Sequence, residues 1–132
     1  MVSQDRYPEG LRYTREHEWI RVEGEEGVIG VTWFAQDQLG DVVFCEVPAV
    51  GSRLTKDEPF GVVESVKTVS DLYAPVSGQV VAVNEELESR PELVNEDPYG
   101  RGWIVRVRIE NPAELDDLMD AEAYRAMVEG SD

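Results

Sequence analysis

The chain has 132 residues, with 28 acidic against 12 basic side chains and a formal net charge of −16. One cysteine, Cys45, and one histidine, His17, exclude a disulfide framework and a Cys/His zinc site. The acidic balance excludes unassisted binding to nucleic acid, whose phosphates need a basic surface.

Hydrophobic residues make up 42% and charged residues 30%, a composition that can build a core and stay soluble. The length suits one domain over residues 1–132. No apolar run approaches the ~18 residues of a membrane span. Met1 to Gly10 carries Asp5, Glu9 and a single Arg6 without a hydrophobic stretch. It reads as neither a secretory signal nor a transit peptide, so the expected location is the cytoplasm of a bacterial-like cell.

Short strands dominate the chain. Glu18 to Val22 and Val28 to Val31 read as a hairpin across the turn-rich Glu23-Gly24-Glu25-Glu26-Gly27. Ala35 to Leu39 reads as a short helix stopped by Gly40. Val42 to Val47 alternates, which predicts Val43, Cys45 and Val47 on one face and Val42, Phe44 and Glu46 on the other. Cys45 is then a small core residue. Gly61 to Val69 is a valine-rich run, and Gln79 to Val83 follows. The last strand, Trp103 to Ile109, places Val105, Val107 and Ile109 opposite Arg106 and Arg108. This punctuation predicts a mainly β sandwich or barrel with its core over about 13–109.

A helical cap is expected over about 112–129. Asn111-Pro112-Ala113-Glu114 has the form of a capping box, and Asp120 starts a second helix stopped by Gly130. Leu54 to Gly61 also aligns without gaps to Leu93 to Gly100, both ending Pro, aromatic, Gly. The match suggests two similar half-structures meeting near Lys67.

Only two of the basic residues are lysines, Lys56 and Lys67. Lys67 sits in Gly61-Val-Val-Glu-Ser-Val-Lys67-Thr-Val-Ser-Asp-Leu-Tyr-Ala-Pro-Val-Ser-Gly78, two β runs around a polar, tight centre. A lysine at a hairpin tip offers its amine to a modifying enzyme on a four-carbon stem. On composition alone it is a solvating charge. Glu18 reads as an exposed strand-edge charge, and Asp71 as a turn residue bonding nearby backbone amides. His17 is expected to pack or cap locally. No Gly-rich phosphate loop or nucleophile–base pair is present, which argues against an enzyme.

The central segment resembles the lipoyl-attachment region of the glycine cleavage system H-protein family. Glu64-Ser65-Val66-Lys67, Ser70-Asp71, Ala74-Pro75-Val76-Ser77-Gly78 and Val83-Asn84 carry the resemblance. Outside the hairpin, His17-Glu18-Trp19, Gly30-Val31-Thr32, Ala35-Gln36, Leu39 to Phe44, Pro48 to Gly51, Leu93-Val94-Asn95, Asp97 to Gly100, Gly102-Trp103 and Tyr124 follow in the family's order. One departure is Trp33-Phe34, where the family usually has a polar residue and then His or Tyr. The pair is expected to pack around the short helix or to form a partner-facing apolar patch.

The resemblance implies a barrel-sandwich hybrid with two small quasi-symmetric sheets and the lysine on a hairpin turn. It implies a carrier without its own active site. Lipoate would be held in amide linkage on Lys67, with Glu64, Ser65 and Val66 beside it; Glu64 would be part of what lipoylating enzymes read, or else an outward strand charge. An aminomethyl group would pass from the P protein, a pyridoxal-phosphate glycine decarboxylase, to the T protein, an aminomethyltransferase. The L protein, dihydrolipoyl dehydrogenase, would reoxidise the arm. Glu18 and Asp71 would lie near a cleft and meet the cargo's amine. The expected partners are these enzymes, with no nucleic acid, metal or membrane, and the chain is expected to be a monomer. Biotin carriers typically have Met-Lys-Met, and lipoyl domains of 2-oxoacid dehydrogenases Asp-Lys-Ala; Lys67 stands between Val66 and Thr68. The alternative is an H-like relay that hands lipoyl groups to other lipoate-dependent complexes.

Overall fold

The computed structural model describes residues 6–130. Among the described residues, nine strands are β1 (Arg12–Tyr13), β2 (Glu18–Glu23), β3 (Glu26–Val31), β4 (Val42–Glu46), β5 (Arg53–Leu54), β6 (Pro59–Ser65), β7 (Val69–Tyr73), β8 (Gly78–Val83) and β9 (Val105–Ile109). The helices are α1 (Trp33–Leu39), α2 (Glu86–Ser89), α3 (Leu93–Glu96) and α4 (Ala121–Glu129), with a 3₁₀ turn over Pro112–Asp117. All strand pairs are antiparallel. They form a six-stranded sheet, β1-β2-β3-β9-β8-β5, and a three-stranded sheet, β4-β6-β7. This is the mainly β, two-sheet architecture expected from the sequence.

The sheets close over an apolar core that includes Ile20, Ile29, Val63, Val76, Val80, Ile104 and Val107, each fully or almost fully buried. Burying a side chain of this size stabilises by about 1.5–3 kcal/mol. The alternation read in the last strand holds: Val105 and Val107 are buried, while Arg106 and Arg108 reach outward. Where β8 begins, Gly78 passes so close to β9 that a Cβ there would lie 2.2 Å from the Arg108 carbonyl oxygen. Only glycine fits that approach.

A second cluster gathers Tyr7, Leu11, Tyr13, Trp19, Val28, Ala121 and Tyr124. Tyr124 of α4 stacks on Tyr13 at 4.8 Å between ring centres and meets Tyr7 edge-on at 5.2 Å. The acidic C-terminal stretch therefore buries one face, Ala121 and Tyr124, and leaves its charges outside. Asp120 caps α4 through the Ala123 N–H, and Gly130 follows the helix, as the sequence suggested.

Several sequence expectations are corrected. The strict alternation of Val42 to Val47 fails because the β4–β6 register shifts between Val42 and Phe44. Val42 and Cys45 are buried, whereas Val43 and Phe44 are about half exposed. A bulge inserts one residue and so changes which side chains face inward. The valine-rich run of Gly61 to Val69 is also not one strand, since β6 ends at Ser65 and β7 begins at Val69.

Asn111 does cap the following turn through the Ala113 N–H. Glu114, however, does not complete a capping box. Its carboxylate accepts from the Ser77 N–H at 2.7 Å and from the Ser77 hydroxyl at 3.2 Å, tying the turn to the start of β8. The eight-residue internal match carries no structural repeat. Its first copy is β5, a turn and the start of β6, whereas its second begins as helix α3. The shared Pro-aromatic-Gly ending therefore marks chain turns rather than equivalent halves.

Candidate functional site

Helix α1 begins at Trp33 rather than Ala35, because Thr32 is its cap. The Thr32 hydroxyl accepts from the Ala35 N–H. The departure at Trp33-Phe34 thus occupies the first helical turn. Both side chains are half-buried in the aromatic cluster. The Arg6 guanidinium lies 3.8 Å from the Trp33 ring centre, and the Trp33 N–H donates to the Tyr99 hydroxyl at 2.8 Å. Phe34 packs on His17 at 4.7 Å. The packing expectation therefore holds.

His17 carries a positive φ of 76°, an uncommon conformation for a residue other than glycine. Its N–H donates to the Thr14 carbonyl at 3.1 Å, and its Nδ1 lies 2.7 Å from the Tyr124 hydroxyl. That hydroxyl also meets the Thr32 hydroxyl at 2.8 Å. Burial holds the imidazole below its ordinary pKa. His17 therefore packs and links locally, as expected.

The hairpin β6–β7 carries Lys67 at its tip. Ser65 builds the turn, with its N–H donating to the Thr68 carbonyl at 2.8 Å. Its hydroxyl accepts from the N–H groups of Lys67 and Thr68 at 3.2 and 3.1 Å. Ser65 is buried, while Val66, Lys67 and Thr68 are exposed. The Val66 N–H donates to the Asp41 carbonyl at 3.0 Å, which seats the turn on the segment after α1. That segment includes Gly40, whose φ is 79°. A Cβ on Gly40 would lie 3.4 Å from Lys67 Cε and 4.0 Å from Nζ, so the lysine stem runs over the glycine. Among the described residues, no acid forms an ion pair with Lys67.

Beside this turn lies a groove of about 360 Å³ between α1 and the edge of β7. Val31, Phe34, Leu39, Val63 and Leu72 give it apolar walls, and Thr68 to Asp71 form its border on the hairpin. Glu18 and Asp71 both line it, so the fold brings these two sequence candidates together. Glu64, Ser65 and Val66 stand apart from it, on the strand and turn that present the lysine. Glu64 lies in a cross-strand row between Phe44 and Val69, which are 49% and 63% exposed.

The two carboxylates differ in environment. Asp71 is exposed. Glu18 is 1% exposed, which overturns the strand-edge alternative. One of its oxygens accepts from the Thr14 hydroxyl at 2.6 Å and the other from the Tyr73 N–H at 3.0 Å. Burial pushes its pKa up to about 8 even though both bonds favour the charged form. A cation entering the groove would favour ionised Glu18.

The comparisons with known proteins bear on this arrangement. The family model for the glycine cleavage H-protein matches residues 11–131. The chain belongs to the glycine cleavage H-protein family. It is 67% identical over 119 residues to the glycine cleavage system H protein of Symbiobacterium thermophilum, covering 90% of this chain and 93% of that protein. It is 61% identical over 122 residues to that of Brevibacillus brevis, covering 92% and 97%. A crystal structure of the glycine cleavage system H protein from Mycobacterium marinum superposes with a TM-score of 0.83 at 37% identity, covering 92% of this chain and 98% of that one.

Within this H-protein fold, sequence reasoning missed the residues that seat the turn. In the sequence Asn95 stands out only as part of the Leu93-Val94-Asn95 block. Its side chain reaches Gln36, Gly40 and Val42, and no short-range pattern announces those contacts. Thr14 and Tyr73, which hold Glu18, gave no signal of their own either. Gly40 did, as a glycine directly after a helix. Among the described residues, no helix is long and apolar enough to cross a membrane, and no cluster of His, Cys, Asp or Glu is suited to a metal ion.

Proposed function

We propose that this chain is a lipoyl carrier of the glycine cleavage system, with lipoate in amide linkage on Lys67. The observation that carries the reading is the exposed Lys67 at a built hairpin tip, beside a groove with apolar walls and two carboxylates. The residues present fit the group. Val31, Phe34, Leu39, Val63 and Leu72 offer burial to a hydrocarbon arm, and Glu18 and Asp71 offer carboxylates to an ammonium. When bound, the lipoyl group supplies the disulfide that accepts an aminomethyl group from the P protein, yields it to the T protein and is reoxidised by the L protein.

The chain's own residues position, bind and shelter. Ser65 holds the turn so that Lys67 projects, and acylation removes the lysine charge. Tethering gives the arm a high effective concentration at each partner's site. The exposed Asp71 and the buried Glu18, both lining the groove, would offer carboxylates to the cargo's ammonium. The apolar walls exclude water from the cargo. Glu64 on β6 and the exposed Val66 in the turn are what a lipoylating enzyme reads beside Lys67. The chain acts as a carrier in the cytoplasm, as a monomer and a single domain, and performs no catalysis of its own.

The deciding experiment supplies the protein with a lipoyl ligase, lipoate and ATP, maps the product by mass, and then adds P protein. Modification at Lys67 with glycine–bicarbonate carbon exchange is the expected result. Modification elsewhere overturns the site, and full lipoylation without exchange favours the lipoyl relay.

A further inference from the structure

We propose that Asn95 is the positioning residue for the lysine turn, acting through the Gly40–Val42 segment. The proposal rests on Lys67 being the lipoylated residue, and it adds what fixes that lysine in space.

Asn95 lies on α3, distant in sequence from the hairpin. An asparagine near the end of a short helix ordinarily caps it or faces water. Here the whole side-chain amide is spent on other elements. Its Oδ1 accepts from the Val42 N–H at 2.9 Å, and its Nδ2 donates to the Gly40 carbonyl at 2.7 Å and to Gln36 Oε1 at 3.2 Å. One planar group thus grips the last turn of α1, the glycine that ends it and the first residue of β4. The residue between the two gripped positions, Asp41, supplies the carbonyl that accepts from the Val66 N–H at 3.0 Å. Gly40 itself forms the surface over which the Lys67 stem runs.

The chain of contacts therefore runs from Asn95 to Gly40 and Val42, through Asp41 to Val66, and so to Lys67. Gly40 with a positive φ has a wide conformational range when unrestrained. The Asn95 amide selects one of those conformations. Without it, the Asp41 carbonyl loses its fixed position, and with it goes the backbone bond that seats Val66 on the segment after α1. A modifying enzyme would then meet Lys67 in its competent placement for only part of the time. Its apparent affinity would fall by that fraction.

The test uses the full chain, with Asn95→Ala and the isosteric Asn95→Asp. The Asp variant keeps an acceptor for Val42 and loses both donors. Val107→Ala, a core truncation in β9, serves as the control for general destabilisation. Two quantities are read: amide hydrogen exchange at Val66, and the KM and kcat of a lipoyl ligase for each protein as acceptor. The expected result for Asn95→Ala is exchange at Val66 faster by about tenfold than in the control, with ligase KM raised about tenfold and kcat unchanged. Asn95→Asp should keep Val42 protected and still release Val66. The proposal is overturned if exchange at Val66 and the KM in both Asn95 variants match the control. Should Lys67 of the wild-type chain fail to be lipoylated at all, the carrier reading falls, and the Val66 exchange alone decides whether Asn95 places the turn.

Discussion

The carboxyl group of Glu18 accepts a hydrogen bond from the backbone N–H of Tyr73 at 3.0 Å, across 55 residues of sequence. The bond crosses from the six-stranded sheet to the edge strand of the three-stranded sheet, at the groove beside the lysine hairpin. An acid buried to 1% exposure is an expensive way to join two strands. The expense is understandable where the same carboxylate must answer a cation arriving in the groove.

That burial sets a pH dependence. Glu18 has its pKa raised from 4.5 to about 8 by burial, so the folded state binds more protons than the unfolded state between those values. Stability contributed by the protonated acid is full below pH 4.5 and falls as pH rises through that window, by at most about 1.4 kcal/mol per pH unit for one proton. His17 works the other way. Its lowered pKa makes stability rise with pH below its ordinary value of 6.5. Glu18→Gln isolates the first effect. Urea midpoints measured from pH 5 to pH 8 should decline less in the Gln variant than in the wild type. Parallel curves would show that Glu18 does not titrate in this window.

The two lysines should differ sharply as acyl acceptors. Lys56 has only 17% of its side chain exposed and sits 3.5 Å from the Asp57 carboxylate. Lys67 is exposed on a turn, without an ion pair among the described residues. Incubation with lipoyl ligase, lipoate and ATP should place one lipoyl group on the wild type and on Lys56→Arg, and none on Lys67→Arg. Peptide mapping that finds the group on Lys56 would sink the assignment.

The hairpin, its lysine and the order of strands were legible because they depend on local pattern and on motifs. Val105 and Val107 alternate with arginines, and Ser65 and Lys67 stand together in one short block. What stayed hidden depends on contacts distant in sequence. The strand-edge reading of Glu18 could not foresee that Thr14 and Tyr73 would enclose its two oxygens. The capping-box reading of Glu114 was locally sound but lost to Ser77, which offers two donors from the residue just before β8. The bulge at Val43 leaves no compositional mark, yet it exposes that valine and moves Val42 into the core. Asn95 belongs with these cases: the motif was visible, and the three elements it joins were not.

Tyr124 gives a test of how the C-terminal helix supports the groove. Its hydroxyl meets His17 Nδ1 at 2.7 Å and the Thr32 hydroxyl at 2.8 Å, so it links α4 to the cap of α1 and to the residue before Glu18. Tyr124→Phe keeps the ring stacking on Tyr13 and deletes only the polar link. Removing this partner from the half-buried His17 and the buried Thr32 hydroxyl, which keeps its bond from the Ala35 N–H, should cost about 1–3 kcal/mol in urea unfolding, with an unchanged m-value. A loss below about 0.5 kcal/mol would show that water replaces the hydroxyl without cost.

Cys45 reports on the opening of the core. It lies on β4 opposite Val63, 9% exposed, and burial pushes its thiol up to about 12. Thiolate is the reactive form, so reaction at pH 8 requires the side chain to leave the core first. An aromatic disulfide reagent should therefore label the native protein slowly, at a rate set by opening of the fold, and label it within seconds in strong denaturant. Val63→Ala, which removes the facing side chain, should speed native labelling in step with its loss of stability. Complete labelling of the native wild type within seconds would mean that β4 opens without the rest of the sheet, and the small sheet could not then serve as a rigid support for the lysine turn.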